Sequence, residues 1–170
     1  MTHAIRVLND PMEFAALEPM VREYMELICN DLKTYYDIDA DPLEPVASTM
    51  SAPEKYLPPQ GRTFLSETGG RRVAMGFLRP LTGRDYEIKR LYVRPEAQGA
   101  GLGRAMLLQI IDNARALGGK RLFLDTITSL KPAIRMYEIE GFRHIEAYEG
   151  SDVASYEDIR RHGVYMVKDL

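Results

Sequence analysis

Three glycines at alternate positions, Gly99, Gly101 and Gly103, stand between a stretch that reads as a strand and one that reads as a helix. The strand is Glu87 to Val93, rich in β-branched, aromatic and long apolar side chains, and Pro95 stops it. The helix carries an apolar stripe at Leu102, Met106, Ile110, Ala114 and Leu117, and Gly118-Gly119 ends it. A helix start presents unpaired N–H groups and a partial positive charge. Glycines remove the Cβ atoms that would hold a ligand off the backbone. The chemistry this spacing suits is capture of a phosphate or pyrophosphate.

Three phosphate loops compete for the stretch. A Walker A loop needs Gly-Lys-Ser/Thr at its end, whereas Arg104 and Ala105 follow Gly103. A dinucleotide fingerprint needs a third glycine where Arg104 stands, and an acid about 20 residues on, for which Asp125 is a loose fit. The pattern Gln/Arg-x-x-Gly-x-Gly/Ala is met in full by Gln98, Gly101 and Gly103. This resembles the acyl-CoA loop of the GNAT superfamily of N-acetyltransferases. The segment LKPAIRMYEIEGF resembles a second pattern of that superfamily, Asn-x-x-Ala-x-x-x-Tyr-x-x-x-Gly-Phe, through Ala133, Tyr137, Gly141 and Phe142; Leu130 stands where Asn is common. The resemblance covers Arg62 to Phe142 well and the ends loosely.

What the resemblance implies is specific. The fold would be α/β (α+β): the GNAT fold, a mixed central sheet of about six or seven strands flanked by about four helices, as one domain over residues 1–170. Acetyl-CoA would be the cosubstrate. Gln98, Gly99, Ala100, Gly101, Leu102, Gly103 and Arg104 would hold its phosphates, and Thr126, Ala133 and Met136 would complete the cofactor site. Ile88 lies three before Leu91, so the apolar register changes near Lys89 and Arg90. Either a β-bulge or burial on both faces accounts for that. With a bulge, the pantetheine arm would pair with the backbone of Leu91, Tyr92 and Val93, and an N–H there would hold the oxyanion.

Two side chains are candidates for proton chemistry. An alkyl ammonium of pKa about 10.4 is neutral in only about one molecule in 2500 at pH 7, so attack on a thioester needs a base. Glu87, 11 residues before Gln98 as in the histone acetyltransferase branch, is that candidate; the alternative is a strand-edge acid paired with Lys89 or Arg90. Tyr137 is the candidate acid for the departing thiolate, and the alternative is a tyrosine packed on the sheet. Among Arg94, Arg104 and Arg135, one meeting a CoA phosphate bidentately would suit the site. His3, His144 and His162 lack ligand spacing, so no metal is expected.

Length and composition bound the rest. A chain of 170 residues with 45% hydrophobic content supports one ordinary core. Without an 18-residue apolar run or a leader pattern, and with Cys29 alone and read as packing, the expectation is a cytoplasmic protein. Residues 1–60 carry 4 Lys/Arg and 11 Asp/Glu, a net of −7, and residues 61–170 carry 18 and 14, a net of +4. That split suits a polyanionic cofactor on the second part and a cationic acceptor near the loop of Asp37, Asp39, Asp41 and Glu44; solvated surface suits it equally. Partners are then a small-molecule or peptide amine, with no nucleic acid and no membrane, and a homodimer left open. The rival functions are a non-catalytic acyl-CoA sensor or regulatory domain and a nucleotide-binding αβ protein.

The positioning elements follow in order. A strand at Ala4 to Leu8 precedes a helix capped by Asp10-Pro11, whose stripe runs from Phe14 to Leu32 and is broken or restarted near Leu17 by Pro19. Asp37 to Pro45 reads as a loop, and a weaker helix lies between Pro45 and Leu57. Strands at Arg62 to Ser66 and Arg71 to Arg79 join the central strand as a meander. Arg121 to Thr126 should return parallel to it by a right-handed crossover. A helix at Lys131 to Glu140, strands at Phe142 to Ala147 and Val164 to Lys168, and a helical turn at SYEDIRR complete the reading.

Overall fold

The computed structural model describes residues 4–170, so His3 lies outside the described residues. One mixed sheet of seven strands runs in the order β1-β2-β3-β4-β5-β7-β6. Its strands are β1 (Ile5–Leu8), β2 (Arg62–Thr68), β3 (Arg71–Pro80), β4 (Asp85–Val93), β5 (Arg121–Ile127), β6 (Arg143–Ile145) and β7 (Gly163–Asp169). The first four form an antiparallel meander, and β4 pairs parallel with β5. The crossover between those two is α4 (Leu102–Ala116), as the expected strand–helix–strand unit requires.

Seven helices are described, against about four expected. The additional ones are short: α1 (Pro11–Ala15), α6 (Asp152–Ser155) and α7 (Glu157–Arg160), the last within the SYEDIRR turn. The helical stripe comes in two pieces and restarts beside Leu17 as expected, and Pro19 marks the restart. It sits in the first turn of α2 (Glu18–Tyr36), where its missing N–H costs nothing. The third helix, α3 (Leu43–Met50), starts inside the stretch read as a loop and stops before Leu57. Asp41 Oδ1 accepts the Leu43 N–H at 2.9 Å, which supplies the start signal, and Pro45 falls in the first turn, where proline is tolerated. Strand β6 covers three residues of the longer expected run.

The two faces of the sheet carry separate cores. Helix α4 and α5 (Lys131–Ile139) pack on one, around Phe64, Ile88, Met106, Ile110, Leu124 and Phe142. Helices α1 to α3 pack on the other, around Phe14, Leu17, Val21, Leu65, Phe77 and Tyr92. Both cores come from apolar stripes at helical spacing laid on strands buried on both faces.

Candidate active site

The site begins where two strands part. Strands β4 and β5 pair from Asp85↔Arg121 to Ile88↔Leu124, and β5 then continues against β7 alone as far as Ile127. The cause lies on the other side of β4. Lys89 faces Phe77 and Tyr92 faces Met75, so Arg90 and Leu91 together oppose Gly76. This is a β-bulge, with Arg90 in the left-handed region at φ 53°. Gly76 makes room for it: a Cβ there would lie 3.2 Å from Leu91 Cδ1 and 3.0 Å from Ile110 Cδ1. The register change at Lys89 and Arg90 is therefore a bulge, not an unbroken strand buried on both faces.

On the α2–α3 face the parted strands floor a cavity of about 680 Å³. Tyr24, Met25, Ile28, Cys29 and Leu32 line it from α2. Asp39, Asp41 and Glu44 line it from the loop and helix beyond, and Asp152, Glu157 and Asp158 from α6 and α7. Three of the four acids singled out in the sequence thus face one space. The fourth, Asp37, instead ends α2 in the left-handed region and is held by Lys33. Tyr156 donates to Glu44 and ties α3 to the segment joining α6 and α7; burial, then that carboxylate, pushes its phenol up to about 12.

The floor is a buried charge network. Lys89 Nζ lies 2.9 Å from Asp125 Oδ1, 3.0 Å from Asp152 Oδ2 and 3.5 Å from Glu87 Oε1. Asp125 Oδ2 accepts from Ser151 Oγ at 2.7 Å and from the Val153 N–H at 3.0 Å. Burial is the largest influence on Asp125 and pushes its carboxyl up, but Lys89 and these two donors together outweigh it and hold it at about 2. For Lys89, burial favours the neutral amine, and the three carboxylates overcome it, so the ammonium persists above its ordinary range.

Glu87 sits one layer back. Its side chain is fully buried and does not line the cavity. Arg79 Nε donates to Oε2 at 2.6 Å, and the Tyr148 hydroxyl donates to Oε1 at 2.6 Å. Burial raises its carboxyl above the usual range despite Lys89 and Arg79.

On the opposite face, α4 starts at the glycine loop. Gly99 and Gly101 have φ of 83° and 78°, and a Cβ on either would meet nothing within 4 Å. Their glycine requirement is therefore conformational as well as one of access. Gly103 is not left-handed, and its Cβ would make ordinary contacts at 3.6 Å with Val93 and 3.8 Å with Met136. Gln98 Nε2 donates to Val93 O at 2.9 Å, tying the loop to the end of β4. Ala100 and Arg104 are exposed beside it, Leu102 is buried under α4, and Arg104 pairs with Glu140 at 2.6 Å. Arg94 is occupied by Glu23 at 2.7 Å and by Arg72 O at 2.8 Å. The start of α4 leaves an open, donor-rich surface suited to a pyrophosphate.

Tyr137 projects from α5, with Ala133 and Met136 partly buried on the same helix. Its ring is buried edge-on to Phe142 at 5.8 Å. The hydroxyl makes no hydrogen bond to a described residue, yet Ser66 Oγ is the one fully enclosed side-chain polar atom without a partner among the described residues. The Tyr137 hydroxyl is therefore not completely enclosed, although the residue is buried. Burial first, then Tyr24 and Asp125, raise its pKa. Those two residues line the cavity on the other face. Thr126 lies on β5 in the same opened stretch and lines the cavity too.

Asp152, Arg79 and Tyr148 escaped the sequence reading, which named Lys89 only as a partner for Glu87, a pairing the structure holds at 3.5 Å, and Asp125 only as a loose dinucleotide acid. A signal was present: Lys89 and Asp125 interrupt otherwise apolar buried strands, and an ion in such a strand requires a partner.

Comparison with known proteins places this geometry. The sequence profile of the Acetyltransferase (GNAT) family matches residues 26–142, more than half of the chain. An N-acetyltransferase of Schizosaccharomyces pombe, itself uncharacterized, is 31% identical over 147 residues, covering 85% of this chain and 85% of its own. Uncharacterized N-acetyltransferase YjgM of Escherichia coli is 36% identical over 94 residues, 54% of this chain and 56% of its own. The PaiA N-acetyltransferase of Thermoplasma acidophilum, solved in complex with coenzyme A, shares the fold at a TM-score of 0.71 and 14% identity, over 100% of both chains. Fold and relatives together define an acyl-CoA-dependent N-acyltransferase. The chain belongs to the GNAT family of acetyltransferases. Among the described residues no helix is long and apolar enough to cross a membrane.

Proposed function

We propose that this chain transfers an acetyl group from acetyl-CoA to a primary amine of a cationic small molecule or peptide, by direct attack in a ternary complex. The observation that carries the reading is the parting of β4 and β5 at the Arg90 bulge, with a glycine-rich helix start on one face and an acid-lined cavity on the other. The coenzyme's phosphates lie over Gln98 to Arg104, and its pantetheine arm follows the backbone of Leu91, Tyr92 and Val93 toward Thr126, Ala133 and Met136. The amine enters from the cavity. Asp39, Asp41, Glu44, Glu157 and Asp158 raise the local concentration of a cation.

The amine nitrogen bonds to the thioester carbonyl carbon, and an N–H of the Leu91–Val93 segment holds the oxygen that becomes negative. The amine proton goes to Glu87 through water. Support for Glu87 is its raised carboxyl, closer to the operating pH than that of Asp125 at about 2. The C–S bond breaks, and the CoA thiolate leaves beside the Tyr137 hydroxyl. Because that phenol is held above its ordinary pKa, its part is to donate a hydrogen bond to the thiolate rather than to ionise.

The test is free-thiol release from acetyl-CoA over polyamines, amino acids, aminoglycosides and peptide N-termini. Turnover concentrated on amines that carry a second positive charge is expected. Acetyl-CoA binding with no release on any amine would identify a sensor instead.

A further inference from the structure

Two described residues other than glycine have left-handed backbone. Asp37 ends a helix, where that conformation is common and a short polar side chain suits it. Arg90 lies inside a central strand, at a bulge position where that conformation is ordinarily left to glycine. An L-residue holds that conformation only when its surroundings impose it.

The surroundings are two walls of the cavity. Arg90 Nε and Nη2 donate to Thr49 Oγ1 at 3.3 and 3.1 Å, and Nη2 lies 3.4 Å from Asp152 Oδ2. Thr49 is buried on α3, and its own hydroxyl proton goes to Pro45 O at 2.7 Å, leaving the oxygen to accept from Arg90. Asp152 opens α6 and also meets Lys89 at 3.0 Å and Arg79 at 3.3 Å. Helix α3 contributes Glu44, Pro45 and Ser48 to the cavity, and α6 contributes Asp152, Val153 and Ser155. One side chain, on the residue that makes the bulge, therefore bonds to both walls.

We infer that Arg90 is a positioning residue that locks the width of the acceptor cavity to the backbone turn in β4 beside which the thioester would lie. The inference rests on the transferase reading above. The α3 wall and the α6 wall each bond to the guanidinium, so a change in their separation pulls on the strained bulge, and the bulge in turn holds the walls. Tyr156–Glu44 and Lys89–Asp152 brace the same walls, but only the Arg90 contacts join both of them to the bulge, so acceptor fit and carbonyl alignment are coupled there. Coenzyme affinity, held at the glycine loop, does not.

The deciding comparison is Arg90→Gly with Thr49→Val and the double variant. Glycine accepts the left-handed conformation, so Arg90→Gly keeps the bulge and removes the tie. Valine keeps the shape of Thr49 and removes only the acceptor. Arg90→Gly is expected to raise the acceptor KM and lower kcat/KM about tenfold, the scale of a lost charge-assisted hydrogen bond, with acetyl-CoA affinity within about twofold of wild type. Discrimination between short and long amines should narrow. The double variant should lose less than the sum of the two single losses. A role in stability alone would lower Tm and leave the acceptor KM of the folded protein unchanged, which overturns the inference. So does a fall in acetyl-CoA affinity as large as the loss toward the amine. If the wild type binds acetyl-CoA but acetylates no amine, the transferase reading falls and this inference with it; if the wild type turns over and Arg90→Gly matches it, only the assignment to Arg90 fails.

Discussion

Lys89 Nζ stands 2.9 Å from Asp125 Oδ1, one residue beyond Ile88 and Leu124, the last paired positions of β4 and β5. Where the backbone ladder ends, an ion pair continues the connection between the strands. It holds them together while leaving their main-chain groups free to meet a ligand, which a further ladder bond would prevent.

That pair has a pH signature. The Asp125 carboxyl, ordinarily near 3.8, is held at about 2 in the folded protein. Its stabilising contribution is fully present above the ordinary value and is lost as pH falls through the folded one. Glu87 has the opposite sign: its pKa is raised, so its contribution is present below its ordinary value and fades as pH rises through the folded one. Asp125→Asn should cost about 3 kcal/mol at neutral pH, because Lys89 stays buried with one fewer carboxylate. The gap to wild type should close between pH 4 and pH 2. Tm measured across that range decides it, and a pH-independent gap would show that the Asp125 charge is not what matters.

Coenzyme binding is best probed at Gly103. Gly101→Val confounds access with strain, because Gly101 is left-handed, whereas Gly103 is not and has ordinary space for a Cβ. Gly103→Val should lose about tenfold or more in CoA affinity, by calorimetry, with only the modest Tm change of a β-branched residue in a helix. CoA binding equal to wild type would mean that the phosphates do not rest on the start of α4.

Tyr137→Phe removes a hydroxyl that bonds to no described residue and keeps the ring against Phe142. Stability should therefore hold. With chemistry rate-limiting, turnover should fall about tenfold or more, the scale of a lost hydrogen bond to a charged group, with a smaller change in acetyl-CoA affinity. Unchanged single-turnover rates would leave Tyr137 as a packing residue.

Charge attraction and proton removal separate at Asp39, Asp41 and Glu87. Asp39→Asn with Asp41→Asn should raise the KM for a cationic acceptor roughly threefold in low salt, and the effect should fade as salt is added. Glu87→Gln should instead lower turnover, most strongly at low pH where the neutral amine is scarcest. Since Glu87 is also paired with Arg79, its Tm must be read alongside. Equal, salt-sensitive losses in both variants would reduce Glu87 to electrostatic attraction.

Periodicity and local signals made most of the frame legible in advance. Short apolar strand runs set off by glycine turns, the stripe of α4 and the alternate glycines depend on residues near one another in the chain, so they specify the meander, the crossover and the loop without tertiary help. Asp10 capping α1 and the restart at Glu18 were equally local. The start of α3 is not legible in the sequence because Asp41, which accepts the Leu43 N–H, stands one residue before the cap position Pro42, in an acidic run that reads as loop.

The sequence by itself determined the family frame, the glycine-rich helix start and the lone tyrosine on α5, because each is written in contiguous spacing. Only the tertiary structure decided what Lys89, Arg90, Asp125, Tyr148 and Asp152 do. Apart from Glu87, two residues before Lys89, their polar partners lie between 26 and 73 residues away along the chain, and burial pushes both the Glu87 and the Asp125 carboxyl up, while the cations and donors the fold brings beside each leave Glu87 raised and Asp125 lowered. No local pattern encodes that pairing, because desolvation and charge contact exist only once β4, β5, α3 and α6 have met.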